Sequence, residues 1–229
     1  MTFFPLLFIN LLFFGKSAQA FSHQKSIKDQ FTVGPVFSYT AYNLTQKSNG
    51  AEAKLYSNLN YGLSLSWDHR WTPSWSDQIK FTTIYNDIGM DSDSVLTNNK
   101  VLLSRLEWTT SYRFKGLNQI KSIFGFYENI YSDSLSHEKV EVARFIIPEW
   151  MIAYQRYLTT KDKNFLRILI GAGPVYSLQA SSLGYKTLLT IGFGVAKKEF
   201  ILSYTRKEYD SNFLQNSSDE LLFSFLFKF

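Results

Sequence analysis

The last nine residues of the chain, 221–229, alternate strictly between two kinds of side chain. One face, read with a period of two, is apolar and mostly aromatic, and it consists of Leu221, Phe223, Phe225, Phe227 and Phe229. The opposite face is mixed and consists of Leu222, Ser224, Leu226 and Lys228. The final residues of a soluble domain usually fray and are polar. The pattern instead predicts a strand whose apolar face meets lipid and whose other face lines a barrel.

At these residues the chain resembles the bacterial outer-membrane β-barrel proteins, a class in which an alternating last strand with a terminal aromatic residue is the signal for assembly. The resemblance implies that Phe225, Phe227 and Phe229 form that assembly signal. It also implies the partners of such proteins, which are the barrel-assembly machinery, periplasmic chaperones, and outer-membrane lipid with lipopolysaccharide. The oligomeric state is left open.

The amino-terminal segment has the features of an export signal. Residues 3–14 form a short apolar run, and Ala18-Gln19-Ala20 matches the small-x-small pattern of a signal-peptidase site. A membrane-spanning helix needs roughly 20 apolar residues, so an uncleaved anchor is the less favoured alternative. No Lys or Arg precedes the run, which departs from the usual pattern. We expect a cleaved signal peptide over 1–20, a periplasmic tail over 21–30 and a barrel over 31–229.

The composition agrees with a barrel and excludes several other classes. Aromatic residues make up 17% of the chain although the mean hydropathy is −0.14, as expected when every second residue faces lipid. There are no cysteines, which excludes disulfides and thiolate zinc sites. The net charge is +5, but the basic residues are scattered, so we predict no nucleic-acid binding. No metal or other cofactor is predicted.

The remainder of the chain divides into about ten alternating segments separated by turn signals. The clearest one is residues 58–71, in which Leu59, Tyr61, Leu63 and Leu65 alternate with small polar residues. In hydrocarbon an open sheet edge would leave backbone groups unpaired, so the sheet must close. We therefore predict an all-β fold, a transmembrane antiparallel up-and-down β-barrel of about ten strands, with eight as the alternative. Pro148 predicts a bulge or local distortion in the sixth strand.

The connections between these segments alternate in length. Those after Trp71, Phe114, Leu158 and Ala196 are short, whereas residues 46–57, 91–99, 132–139 and 211–218 read as longer polar loops. Short periplasmic turns and longer outer loops are typical of the class and place both termini in the periplasm. Trp71 and Trp75 flank one short turn, and with Phe114 they are predicted to form an aromatic girdle at the membrane interface.

The inward face of the predicted strands carries many charges. By alternation these are Asp68, Arg70, Lys80, Arg105, Glu107, Arg113, Glu149, Arg167, Lys207 and Glu220. One interpretation is a charged constriction that selects solutes. The favoured alternative is an internal ion-pair network that fills the lumen, because small barrels pack their interiors.

Catalysis is a weaker hypothesis. His137 lies in a predicted outer loop and would need carboxylates such as Asp133 or Asp87 to form a hydrolytic site. No tight motif of a known outer-membrane hydrolase is present, and a loop histidine is usually only solvated. Lys139, Arg144 and Arg206 lie near the predicted outer rim, where they could meet lipopolysaccharide phosphates or simply extend toward water.

Together these patterns predict an integral outer-membrane barrel that is structural or surface-binding, or a narrow passive channel for small solutes. A hydrolase acting on lipid or peptide through His137 is the alternative, and an enzyme is less expected than a non-enzyme.

Overall fold

The computed structural model describes residues 28–47, 50–90, 95–114, 117–135, 139–161, 164–177, 182–210 and 214–229. These residues form twelve strands in one sheet. Their bounds are β1 Lys28–Gln46, β2 Glu52–Ser57, β3 Asn60–Arg70, β4 Trp75–Met90, β5 Val95–Thr97, β6 Lys100–Phe114, β7 Asn118–Leu135, β8 Lys139–Lys161, β9 Asn164–Ser177, β10 Ser182–Val195, β11 Lys198–Asp210 and β12 Leu214–Lys228. The described ranges contain no helix long and apolar enough to cross a bilayer.

The sheet closes on itself as an antiparallel barrel. Each long strand pairs with its neighbours in the chain, and β12 pairs with β1 from Thr32↔Lys228 to Gln46↔Leu214. Strands β2 and β3 both pair with β1 on one side and β4 on the other, so together they occupy one position in the wall. With the three-residue β5 outside this path, the barrel has ten strands, which confirms the predicted fold and settles the choice between ten and eight.

The two ends of the barrel differ. The turn end carries the start of β1, the end of β12 and short turns such as that between β3 and β4. In this turn the Thr72 hydroxyl accepts hydrogen bonds from the Ser74 and Trp75 amides at 3.2 and 3.0 Å. The loop end carries the β1–β2, β4–β6, β7–β8, β9–β10 and β11–β12 connections.

The connections at the loop end are shorter than predicted. Strand β2 occupies Glu52–Ser57, β7 continues to Leu135, and β12 begins at Leu214. Many of the residues predicted to form polar loops therefore belong to paired strands. The polar residues there predict loops, because their alternation is not that of a lipid-facing strand. They remain in the ladder because a barrel wall can extend beyond the membrane into water.

Strands β2 and β3 are separated by a β-bulge at Asn58 and Leu59. The register with β1 changes from Ala41↔Tyr56 to Ser38↔Asn60, and the register with β4 changes in the same sense, so the wall contains one extra residue. A bulge of one residue exchanges the faces of all side chains beyond it. Odd-numbered residues therefore point inward in β2 and outward in β3.

Pro148 does not shift the register of its own strand with β7, where Phe126↔Pro148 sits within a continuous ladder. The expected irregularity occurs on the other side, since pairing of β8 with β9 begins only at Glu149↔Val175 and skips residues 150 and 151. Register shifts occur instead at Ser132/Ser134 and at Tyr157/Thr159. The N–H donor that Pro148 lacks falls next to this interruption of the pairing with β9, and a proline is tolerated at such an irregular position.

Candidate functional site: the barrel lumen

The lumen contains a solvated cavity at the turn end. Its volume is about 560 Å³, and its wall runs from rim residues such as Arg70 and Ser76 to the middle of the barrel at Arg105 and Glu220. The inner wall of this half is polar, because β3 and β4 direct Ser64, Ser66 and Thr82 inward and bury them. We call this cavity the vestibule.

The structure places all ten of the predicted inward charges on the inner side of the wall. Nine line the vestibule, namely Asp68, Arg70, Lys80, Arg105, Glu107, Arg113, Arg167, Lys207 and Glu220. Glu149 lies behind its closed end and is only 3% exposed. Six further charged residues line the vestibule, namely Asp29, Lys121, Lys186, Lys197, Glu199 and Lys228, and the sequence pattern does not identify Lys121, Lys186 and Glu199 as inward charges. Lys121 belongs to the predicted strand in which the inward and outward faces are least clearly distinguished. Glu199 lies next to a turn, after which the alternation of inward and outward residues begins again.

Glu149 holds two buried lysines together at the closed end of the vestibule. Its carboxylate accepts from Lys186 Nζ at 2.7 Å and from Lys207 Nζ at 2.5 Å. Lys207 also donates to Asn129 Oδ1 at 3.3 Å. These residues come from β8, β10, β11 and β7, so the contacts cross the lumen between strands that are not all neighbours. Each charge is buried, but each has a partner, as burial requires.

A second ion pair crosses the lumen beside this cluster. Arg105 of β6 forms a bidentate pair with Glu220 of β12, with Nη1 2.9 Å from Oε2. Glu107, two residues along β6, accepts from the Tyr127 hydroxyl at 2.6 Å and lies 3.5 Å from Lys80 Nζ. We call Arg105, Glu107, Tyr127, Glu149, Lys186, Lys207 and Glu220 the charge tier.

A third group lies nearer the turn end. Arg167 donates to Glu199 Oε1 at 2.6 Å and to Gln155 Oε1 at 2.6 Å, while Lys228 lies 2.9 Å from Glu199 Oε2. Gly192 leaves room for this arrangement, because a Cβ there would lie 2.7 Å from Arg167 Nε. The glycine therefore has a packing role rather than that of opening a passage.

Beyond the charge tier, the loop-end half of the lumen is packed with buried side chains, most of the large ones apolar. Apolar side chains form one buried cluster there, the apolar plug, which consists of Tyr42, Leu44, Ala51, Ala53, Leu55, Ile88, Leu103, Ile130, Val140 and Val142. Leu44 and Leu55 are each only 1% exposed. Along its axis the lumen therefore changes from an open polar cavity to a layer of buried, paired charges, and then to a packed, mostly apolar core.

Strand β5 passes over the plug. It lies between β4 and β6 in the chain but pairs in parallel with β8 at Val95↔Lys139, on the edge that β9 leaves uncovered. Leu96 packs against the plug, and the side-chain Nδ2 of Asn98 donates to Glu141 Oε1 at 3.4 Å. Since β7 separates β6 from β8, β5 reaches across the loop-end mouth and helps to close it.

Outward aromatic residues form a belt near each end of the barrel. At the turn end Trp71 is 61% exposed, and Trp75 packs against Tyr112 with centroids 4.6 Å apart, next to Phe114. Toward the loop end lie Tyr61 and Tyr85, 5.5 Å apart. Tyr61 and Trp71 are ten residues apart on one strand, which at the usual rise and tilt spans about 25 Å. That height matches the apolar band of outer-membrane barrels.

The last strand presents its aromatic face outward. Phe229 is 73% exposed, and its amide donates to Phe31 O at 2.9 Å. Phe225 and Phe227 contact each other with centroids 4.6 Å apart, and Phe225 also packs on Phe200. The opposite face is turned inward, with Ser224 2% exposed.

The residues of the hydrolase hypothesis are not brought together by the described geometry. His137 lies outside the described residues, as does the side chain of Asp133. Asp87 lies on the outer side of β4, because its neighbours Asn86 and Ile88 point inward and are buried. Among the described residues no group of three or more His, Asp or Glu side chains could hold a metal ion.

Comparison with solved structures places this architecture among membrane barrels. An outer membrane channel from Pseudomonas putida F1 superposes with a TM-score of 0.53 over 90% of this chain and 97% of that chain, at 10% sequence identity. The chain has the fold of the bacterial outer-membrane β-barrels. The outer membrane protease OmpT from Escherichia coli is 9% identical with a TM-score of 0.46, covering 93% of this chain and all of that one. No family model and no curated protein matches the sequence. At such identities the similarity concerns the fold alone.

Proposed function

We propose that this outer-membrane barrel is a non-enzymatic solute-binding protein with a vestibule closed at one end, and that it does not conduct ions continuously in this conformation. One observation carries the proposal: the vestibule ends at the charge tier, and the apolar plug fills the lumen beyond it. An ion would have to displace buried, paired charges and then cross a packed, mostly apolar layer, both of which cost several kcal/mol. This arrangement favours binding over passive flow.

Electrical recording tests the closed lumen. The purified full-length barrel, reconstituted in a planar bilayer, should give no steady conductance, while its gel mobility in detergent should change on boiling, which shows that it is folded. A stable open level in the folded protein would overturn the proposal.

Chemical labelling tests where the lumen closes. The chain has no cysteine, so single cysteines report unambiguously. Ser111→Cys in the vestibule should react with a small charged thiosulfonate, whereas Ala53→Cys in the plug should remain unreactive in the folded protein. Equal reactivity at both positions would mean that water passes through the plug.

We further propose that both termini face the periplasm and that residues 1–20 are removed on export. The short turns at the terminal end support this orientation. A carboxyl-terminal epitope tag should be detected in permeabilised cells and protected in intact ones. The exposed Phe229 and the outward face of β12 make this strand the surface that the assembly machinery would bind; Phe229→Ala should lower the amount of folded barrel in the membrane.

The loop-end rim is the surface that would meet lipopolysaccharide. Arg144 is half exposed there and lies 3.9 Å from Glu128, and Arg206 pairs with Glu208 at 2.7 Å. The side chain of Lys139 lies outside the described residues. Because both arginines already have carboxylate partners, their attraction for phosphate is reduced. Purification with bound lipopolysaccharide that is lost in the double variant Arg144→Gln/Arg206→Gln would test this contact.

A further inference from the structure

We infer that the vestibule binds a small polyanion, a solute with two or more carboxylate or phosphate groups. The inference rests on the proposed function and adds the class of ligand. It begins from the charge of the wall: ten basic and five acidic side chains line the vestibule. Glu149, behind the closed end, and the terminal carboxylate of Phe229 reduce the excess from five positive charges to three.

The acidic residues of the lumen are already engaged. Glu220 pairs with Arg105, Glu107 with Lys80, and Glu199 with both Arg167 and Lys228. Asp68 accepts from the Gln78 amide at 2.8 Å, and Asp29 contacts His69 at 2.7 Å. The wall therefore offers little free negative charge to a cationic solute.

The excess positive charge is carried by four residues. Among the described residues, the basic side chains that line the vestibule without a carboxylate within ion-pair distance are Arg70, Arg113, Lys121 and Lys197. Lys197 lies in the turn between β10 and β11, whereas the other three lie on β3, β6 and β7, on one side of the cavity. Arg113 is directed by the Gln119 side-chain amide, whose oxygen accepts from its Nη2 at 3.0 Å in the orientation that satisfies both groups.

Lys121 is the central member of this set. It is an inward-facing residue of β7, lies between Ser111 and Ala153 in register, and lines the vestibule. It thus projects into the cavity instead of lying along the rim. Its position lets a bound anion contact Lys121 together with Arg113 or Arg70.

The shape of the cavity strengthens the attraction. A cleft lined with charge of one sign and bounded by low-dielectric walls focuses the field on its interior. The vestibule is such a cleft, because it is closed at one end and basic residues outnumber acidic ones along its wall. Its volume of about 560 Å³ falls within the range of about 300–1,000 Å³ typical of small-molecule sites.

Calorimetry on the folded full-length barrel in neutral detergent at low salt tests the inference. The probes are citrate, inorganic pyrophosphate and the dication putrescine. Citrate and pyrophosphate should bind and putrescine should not, and added NaCl should weaken binding. Preference for citrate would assign carboxylates to the site, and preference for pyrophosphate would assign phosphoryl groups.

Substitutions locate the binding. Lys121→Gln should weaken anion binding about tenfold or more, because a charge-assisted hydrogen bond is lost. Arg113→Gln should weaken it similarly, which covers the case that one variant does not fold. Lys54→Gln, at an exposed lysine on the outside of β2, is the matched control and should bind as the native protein does.

Two outcomes would overturn the inference: unchanged affinity in both lumen variants, or tighter binding of putrescine than of the anions. These are separable from failure of the proposed function. If the barrel does not conduct and binds no anion, only the proposed ligand class is wrong. If it conducts steadily and still binds citrate, only the proposed closed lumen is wrong.

Discussion

Strands β2 and β3 occupy the same position in the barrel wall, yet their apolar side chains point in opposite directions. In β3, Leu63 and Leu65 point outward and are over 40% exposed, while Ser64 is buried inside. In β2 the apolar Leu55 points inward at 1% exposure and the charged Lys54 points outward. The difference shows that the same backbone ladder accepts either pattern, and that the surroundings decide which one is stable.

The physical reason is the position of water. Around β3 the outside is lipid and the lumen is solvated, so the apolar face turns outward. Around β2 the wall extends past the loop-end aromatic belt, so water is outside and the interior becomes a conventional core. The bulge at Asn58 and Leu59 joins the two parts, because one extra residue exchanges the two faces.

Removing the bulge should have the largest effect on this arrangement. Deletion of Asn58 would place β2 in phase with β3, turning Leu55 outward and Glu52 and Lys54 into the plug. Each buried, unpaired charge costs several kcal/mol, so the loop-end half should fail to close. Limited proteolysis should then cut near the β1–β2 connection, whereas Asn58→Ala, which keeps the residue count, should stay resistant. Resistance of the deletion variant would contradict the role of the bulge.

Glu149→Gln tests the boundary between the two interiors. It leaves Lys186 and Lys207, 6% and 5% exposed, with only a neutral partner. Breaking such a buried pair should lower the free energy of unfolding by about 3–5 kcal/mol. Urea unfolding in lipid vesicles measures the loss. Glu208→Gln, in the exposed pair with Arg206, is the control and should change little. A similar effect from both would mean that the charge tier contributes no more than a surface ion pair.

Leu44→Ala tests whether the plug is a packed core. Leu44 is 1% exposed, so the cavity left behind should cost about 3 kcal/mol. The matched control is Leu59→Ala, which removes the same atoms from a side chain 74% exposed and should be nearly neutral. Equal losses of stability in the two variants would show that the plug is loosely packed.

A pair of lysine substitutions measures the smallest effect and locates the membrane boundary. Leu65→Lys, on the lipid face, should destabilise the barrel in vesicles by about 2 kcal/mol. Leu59→Lys, beyond the loop-end belt, should have almost no effect because water already reaches it. If Leu59→Lys proved as costly as Leu65→Lys, the apolar band would extend over the bulge and the belt assignment would be wrong.

Much of the fold could be predicted from local pattern. Alternation in residues 58–71 and 221–229 identifies lipid-facing strands, because a period of two with one apolar face has few other solutions. The ten inward charges follow from the same alternation. Glu199 and Lys121 do not follow from it, because Glu199 lies next to a turn and the phase of the segment that contains Lys121 is ambiguous.

The sequence by itself determined that this chain forms a closed antiparallel barrel, because unpaired strand edges cannot exist in lipid. It did not determine which way the apolar residues of β2 point. Odd-numbered apolar residues run from Ala51 through Leu55 and Leu59 to Leu65 with one interruption at Ser57, and a single bulge turns the first part into a core and the second into a lipid face. Only the tertiary structure decided this, because pairing with β1 and β4 sets the register, and register sets the face. That one residue therefore adds Ala53 and Leu55 of β2 to the plug, beside the apolar residues of the other strands.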